Sequence, residues 1–286
     1  MLILGRGSNA LALTPLVAAP STVATVTERR RWDTLKTAAW RIGTAVVVAA
    51  IFIGLYQVNR THPAHPVIPI PMAHAIGPGI GINVSPGGDA AGISCTTGFL
   101  VHTRDGRPGL LVAGHCNPGG GPGQVEIRYG GAFAYRTIGT FTETVSDGSN
   151  WDDYDIGLIT LNDPGKIPLT SVVDGHPVIG VAEYVSVGDV LCHYGIRSGG
   201  PMCGPAVASE ANKVRFEAGG TCGDSGGPVY RLRDDGAAEA VGIYTAVSDG
   251  TYSEPKCEDP HPFSIAQTIT PWLSAWELTL DTTTGR

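Results

Sequence analysis

Charge is scarce in this chain, and positive charge is scarcest where most of the chain lies. Charged residues make up 16% of its 286 positions and hydrophobic ones 42%, a balance that argues against disorder. After residue 60 there are 12 Lys and Arg against 24 Asp and Glu. That deficit removes the basic footprint that phosphate contacts need, so no nucleic-acid partner is expected. The 40 Gly and 21 Pro disfavour helix interiors and exclude a long helical bundle, yet they lack the three-residue period of collagen. No internal repeat is visible, and no cysteine precedes Cys95.

What the first third does contain is an apolar run, Ile42 to Val58, without charge and bounded by Arg41 and Arg60. With residues 38–41 included it is long enough for a single membrane span of roughly 30 Å. Arg29, Arg30, Arg31, Lys36 and Arg41 all precede it, so the positive-inside rule predicts a cytoplasmic tail (1–37), a transmembrane helix (38–58) and an exported remainder at the cell membrane. A cleaved signal would need a small-x-small pattern soon after the run, but YQVNRTHPAHP has none; a cleaved segment would leave a secreted protein. The proline-rich stretch 59–80 reads as a semi-rigid linker. All six cysteines lie between Cys95 and Cys257, as befits disulfides in an oxidising compartment.

From 81 to 286, short runs rich in Val, Ile and Tyr recur about every ten residues with turns between them, and only TPWLSAWEL has helical spacing. An all-β sandwich or barrel pair with one C-terminal helix, about 268–279, is the predicted architecture.

Chemistry concentrates in three places. Gly223-Asp224-Ser225-Gly226-Gly227-Pro228 sets one serine between glycines, in a turn able to expose its hydroxyl and aim the Gly223 and Ser225 N–H groups at a common point. A serine hydroxyl needs a histidine to take its proton and a carboxylate to hold that imidazole. His115 closes the strand GLLVAGH, and Asp155 opens DIGLITL, with Asp152 and Asp153 as rivals. The glycine run 119–123 lacks the Lys-Ser/Thr of a phosphate loop.

Together with Cys95-Thr96-Thr97-Gly98-Phe99-Leu100-Val101, these motifs make residues 92–273 resemble the chymotrypsin-like serine peptidases, in particular their bacterial streptogrisin-like branch. The resemblance implies two six-stranded antiparallel barrels, about 81–165 and 178–270, with the active site between them. It implies a serine endopeptidase acting on peptides or proteins, with no metal or organic cofactor; the basic flank and the cysteines set it outside the cytoplasm, and a monomer is expected. His115, Asp155 and Ser225 would be catalytic and Gly223 and Ser225 would form the oxyanion hole; Asp155 is selected over its rivals because the family carboxylate directly precedes the strand. The alternative is a binding protein on a degenerate protease fold. Fifteen full pairings of the cysteines are open; the resemblance favours Cys95 with Cys116 and Cys192 with Cys203, leaving Cys222 with Cys257. Cys222 directly precedes Gly223, where the family has one more residue between them.

For specificity, trypsin-like members carry an Asp six residues before the serine. Gly219 stands there, so basic side chains are not favoured. Thr245 and Val247 match the pocket-wall strand, and Val247 would narrow the slot toward small or medium apolar residues. Asp224 needs partners once buried, and His193 or Arg197 is expected to supply them.

Overall fold

The computed structural model describes Arg41 and residues 69–85, 92–131, 134–148, 151–162, 165, 167–210, 212–248 and 261–283. The basic tail 1–37, the predicted transmembrane helix 38–58 apart from Arg41, and Cys257 lie outside these residues. Among the described residues no helix is long and apolar enough to cross a membrane. Contacts divide the chain into two units, 1–65 and 66–286, and every described strand belongs to the second.

Seven strands form the first half of that unit: β1 (Gly81–Ser85), β2 (Ile93–Thr96), β3 (Leu100–His102), β4 (Pro108–Val112), β5 (Gln124–Arg128), β6 (Tyr135–Ser146) and β7 (Asp155–Leu161). The second half has β8 (Val172–Val173), β9 (His176–Val181), β10 (Val190–Gly195), β11 (Gly200–Glu210), β12 (Lys213–Phe216), β13 (Pro228–Leu232), β14 (Ala238–Ser248) and β15 (Phe263–Thr268). Helix α1 (Thr270–Ala275) and β16 (Thr279–Leu280) complete the described elements.

The strands sort into two eight-stranded sheets. In the second, β13-β10-β11-β12-β15-β14 closes on itself through β13–β14 pairing, giving a six-stranded antiparallel barrel. β9 adds to it in parallel with β14, and β8 pairs with β9. The first sheet departs from the expected closed barrel: among the described residues it runs β16-β3-β4-β7-β6-β5-β1-β2 without a pairing that joins its ends. β16 occupies one edge by bonding to β3.

Sequence pattern explains this layout. β7 is buried along its whole length and carries Ile156, Leu158, Ile159 and Leu161, whereas β5 alternates buried Val125 and Ile127 with more exposed neighbours. Each such fully buried Ile or Leu contributes about 1.5–3 kcal/mol of transfer free energy. Helix α1 is shorter than the stretch 268–279 suggested. Glu277 takes a left-handed backbone (φ 50°) and the Leu278 N–H closes back on the Leu273 carbonyl at 2.8 Å, which ends the helix and sends the chain into β16.

The described end of the supposed linker belongs to the domain. Ile70, Ala73 and Ile76 are buried, Met72 bridges Arg128, and Ile76 bridges Leu169. Its alternating small and apolar residues find a surface to cover instead of solvent.

Candidate active site

His115 sits in a single 3-10 turn, Gly114–Cys116, that follows β4. Gly114 lets that turn lie directly on the β6–β7 hairpin, because a Cβ there would come within 2.0 Å of the Val145 carbonyl oxygen and 2.9 Å of that of Ile156. Asp155 begins β7 and pairs with Ser146, so it emerges beside the turn. Its carboxylate is clasped twice by His115: the backbone N–H donates to Oδ1 at 2.8 Å and the ring Nδ1–H to Oδ2 at 2.6 Å. A carboxylate only accepts, so Nδ1 carries the proton and Nε2 is left basic. The Asp155 side chain is 8% exposed and that of His115 40%, which puts the anchored end of the imidazole inside and the working end outside.

Further groups stand behind Asp155. Its own N–H points to Gln267 Oε1 at 3.4 Å, and Gln267 Nε2 donates to the Asn212 carbonyl at 2.8 Å. Lys213, opposite Gln267 in the β12–β15 register, is buried; desolvation pulls its ammonium below the ordinary lysine value, and the charges of Asp155 and Asp153 oppose that. Asp152 is exposed. The carboxylate of Asp153 lies over Gly148.

Thr96, at the end of β2, joins the histidine turn to the serine turn. Its N–H donates to the Ser225 carbonyl at 2.9 Å, its hydroxyl donates to the Gly223 carbonyl at 2.7 Å, and the same hydroxyl accepts from Ile196 N–H at 3.1 Å. The preceding residue, Cys95, is bonded to Cys116, which follows His115, and the Cys116 sulfur lies 3.8 Å from the Ser225 carbonyl oxygen. One disulfide and one threonine thus tie the turn that carries His115, which follows β4, to the turn that carries Ser225, which precedes β13. Thr96 has no role in the sequence reading, although it stands in one of the motifs; its position beside a bridged cysteine was the available signal. Cys95, His115 and Cys116 also cluster as metal-ligating types, but both sulfurs are consumed in the disulfide.

Ser225 is half-buried, and among the described residues neither its N–H nor that of Gly223 has an acceptor. No hydrogen bond joins Ser225 Oγ to the imidazole among those residues. Cys192 and Cys203 are bridged, while Cys222 is disulfide-bonded and its expected partner, Cys257, lies outside the described residues.

Asp224 is fully buried, and neither expected side chain holds it. The Arg197 N–H (2.9 Å) and Ser198 N–H (3.0 Å) donate to Oδ1; the Thr221 N–H (3.2 Å) and the Ser198 hydroxyl donate to Oδ2. Arg197 contributes backbone in place of guanidinium. His193 points instead at the Gly219 carbonyl, 2.6 Å from Nε2. Gly219 has no side chain to offer a substrate, Thr245 Oγ1 donates to the Ile265 carbonyl at 3.3 Å, and Val247 packs partly buried on the second barrel's core.

No established family profile matches this chain. Two uncharacterized proteins of Mycobacterium tuberculosis, MT1863 and Rv1815, are each 29% identical to it over 165 residues, which is 54% of this chain and 69% of theirs. Among solved structures it is similar to the Nocardiopsis protease NAPase (TM-score 0.53, 23% identity), covering 73% of this chain and 100% of that one. Thermobifida fusca protease A gives a TM-score of 0.52 at 22% identity, and the Cellulomonas bogoriensis chymotrypsin 0.51 at 21%, with the same coverage. The fold is therefore that of the bacterial chymotrypsin-like serine proteases.

Proposed function

We propose that this chain is a serine endopeptidase that works through a His115–Asp155–Ser225 triad. The observation that carries the proposal is the double clasp of Asp155 on His115, which fixes the tautomer with Nε2 basic, next to a Ser225 turn tied down by Thr96. Substrate entry brings Ser225 Oγ and Nε2 into hydrogen-bond contact; such contacts commonly tighten only in the complex. Ser225 Oγ then attacks the peptide carbonyl and Nε2 takes its proton. The Gly223 and Ser225 N–H groups meet the developing oxyanion, each such donor being worth about 2.7–4 kcal/mol in the transition state. Nε2 returns the proton to the leaving amine, and water repeats the sequence to release the acyl group.

The domain is placed outside the cytoplasm, tethered by the apolar run Ile42 to Val58, on the strength of the basic flank and the cysteines. Labelling by a fluorophosphonate is the test: wild type reacts and Ser225→Ala does not. A folded wild-type protein that never reacts is instead a binding protein on a protease fold.

A further inference from the structure

The second barrel buries two polar side chains on its outer face. In β12 and β15, Val214, Phe216 and Ala266 turn into the barrel core, so the pleat sends Lys213 and Gln267, which stand opposite each other in the register, to the other side. That side of a barrel ordinarily meets water, yet Lys213 is 7% exposed and Gln267 is fully buried. What covers them is the loop 151–154 with the start of β7, the stretch that delivers Asp155.

Hydrogen bonds hold that stretch on the barrel. Trp151 Nε1–H donates to Glu210 Oε2 at 2.9 Å, Asn212 Nδ2–H donates to the Tyr154 hydroxyl at 3.1 Å, and the Asp155 N–H meets Gln267 Oε1 at 3.4 Å. Gln267 is fixed in turn by donating to the Asn212 carbonyl at 2.8 Å, and the Tyr154 ring stands edge-on to Trp272. Both Asp155 oxygens are engaged by His115, so a neighbouring cation acts on that pair through its field. The charges turned to the Lys213 ammonium are those of Asp155 and Asp153, which draw it toward the protonated form against the desolvation that opposes it. Glu210, on the same hairpin, is taken up by Trp151, and Tyr154 by Asn212.

We propose that Lys213 is a positioning residue for the triad: carried on the β11–β12 hairpin and buried under the loop that leads to Asp155, its ammonium anchors that loop and sets the charge felt by the Asp155–His115 pair. This rests on the peptidase reading and deepens it. A cation beside Asp155 favours the carboxylate that clasps His115, and it opposes a second proton on the imidazole, whose Nε2 must be free to take the proton of Ser225. Away from water such a charge is felt more strongly than it is through solvent. A neutral side chain at this position leaves Asp153 and Asp155 without their cation. The imidazolium then forms more easily, and activity is lost at a higher pH on acidification.

The experiment is the rate of fluorophosphonate labelling of the full chain from about pH 5 to about pH 9, a range that spans histidine titration, for wild type, Lys213→Met, Lys213→Gln and Lys213→Arg. Thermal melting accompanies each variant. The labelling rate follows the fraction of enzyme with Nε2 free, and it requires no knowledge of the substrate. Lys213→Met should move the midpoint of the acid limb up by at least about half a pH unit, which is about threefold slower labelling on the acid side, with a smaller change on the plateau. Lys213→Gln, which keeps a polar end in the buried site should the methionine variant fail to fold, should shift the midpoint in the same direction. Lys213→Arg, which keeps the charge, should stay within about 0.2 pH units of wild type. A fall in melting temperature or plateau rate in Lys213→Met or Lys213→Gln with the midpoint unmoved overturns the proposal, since a merely structural lysine would behave in that way. An equal shift in a folded Lys213→Arg overturns it as well. In those cases labelling of wild type at Ser225 leaves the peptidase reading standing, whereas a folded wild type that never labels overturns the two together.

Discussion

Ser198 donates both its backbone N–H and its hydroxyl to the buried carboxylate of Asp224, the residue next to Ser225. With the Arg197 and Thr221 N–H groups, four donors surround this carboxylate. Close approach is required: a Cβ on Gly195 would lie 2.1 Å from the Asp224 carboxyl, so the β10–β11 turn wraps it without a side chain between. Among the described residues, the carboxylate so enclosed has its oxygens met by these donors alone. Ser198→Ala should therefore lower stability by about 1.5–3 kcal/mol, the worth of a hydrogen bond to a charged group. It should also slow peptide hydrolysis, by loosening the turn that carries Gly223. Arg197→Ala, which keeps the backbone donor, should stay near wild type in both melting and turnover. Equal damage from the two substitutions would mean that the guanidinium holds Asp224 after all.

The triad makes a sharper demand. Ser225→Ala, His115→Ala and Asp155→Ala should each cut kcat by about four to six orders of magnitude and combine with little further loss, because the three act as a unit. Asp152→Ala and Asp153→Ala should retain turnover within a few-fold, since the first is exposed and neither bonds His115. Turnover near wild type in Asp155→Ala would remove Asp155 from the role.

How legible the candidate site's residues and their supports were in the sequence depends on how each is encoded. His115, Asp155 and Ser225 lie in short local patterns, a strand end or a glycine-framed turn, and the all-β class follows from period-two runs. The Cys95–Cys116 and Cys192–Cys203 bridges agree with what the resemblance implied. Thr96, Ser198 and Tyr244 act across about 20 to 130 positions of sequence through hydrogen bonds and ring stacking, and no local spacing announces such contacts. The expectation for His193 failed for a related reason. Proximity to Asp224 was right in kind, but in a strand the side chain direction is set by the pleat, which turns this imidazole into the barrel toward Gly219, Phe216 and Tyr244.

Thr96 and the Cys95–Cys116 disulfide give a third prediction. The bridge closes a 21-residue separation, for which loop-closure entropy gives about 3 kcal/mol. Cys95→Ala with Cys116→Ala should lower the melting temperature and reduce kcat more than KM, because the imidazole loses its tether while the substrate walls are untouched. Thr96→Val, which preserves the volume and the backbone bond to Ser225 but strands the Gly223 carbonyl and Ile196 N–H, should cost about 1–3 kcal/mol. Thr96→Ser, keeping the hydroxyl, should recover most of that. A Thr96→Ser protein as unstable as Thr96→Val would show that the methyl, and not the bridge between turns, matters.

The last prediction concerns acid. Burial holds the His193 imidazole below the ordinary histidine value of 6.5, against the raising influence of the Gly219 carbonyl and the Asp224 charge. Its Nε2–H is spent on Gly219, its Nδ1 has no hydrogen-bond partner among the described residues, and Tyr244 and Phe216 pack around it, so a second proton would be buried among rings. In the unfolded chain the same group titrates near 6.5. Between that value and the depressed native one, the unfolded state binds more protons than the native, so stability rises with pH across the window. The contribution is complete above about pH 6.5 and is lost progressively as pH falls toward the native value, with a slope of at most about 1.4 kcal/mol per pH unit for one proton. Thermal melts of wild type and His193→Gln from pH 7.5 down to pH 4.5 provide the check. Glutamine can still donate to the Gly219 carbonyl but cannot titrate, so its melting temperature should fall less on acidification; parallel curves for the two proteins would show that His193 contributes nothing to the acid sensitivity of the fold.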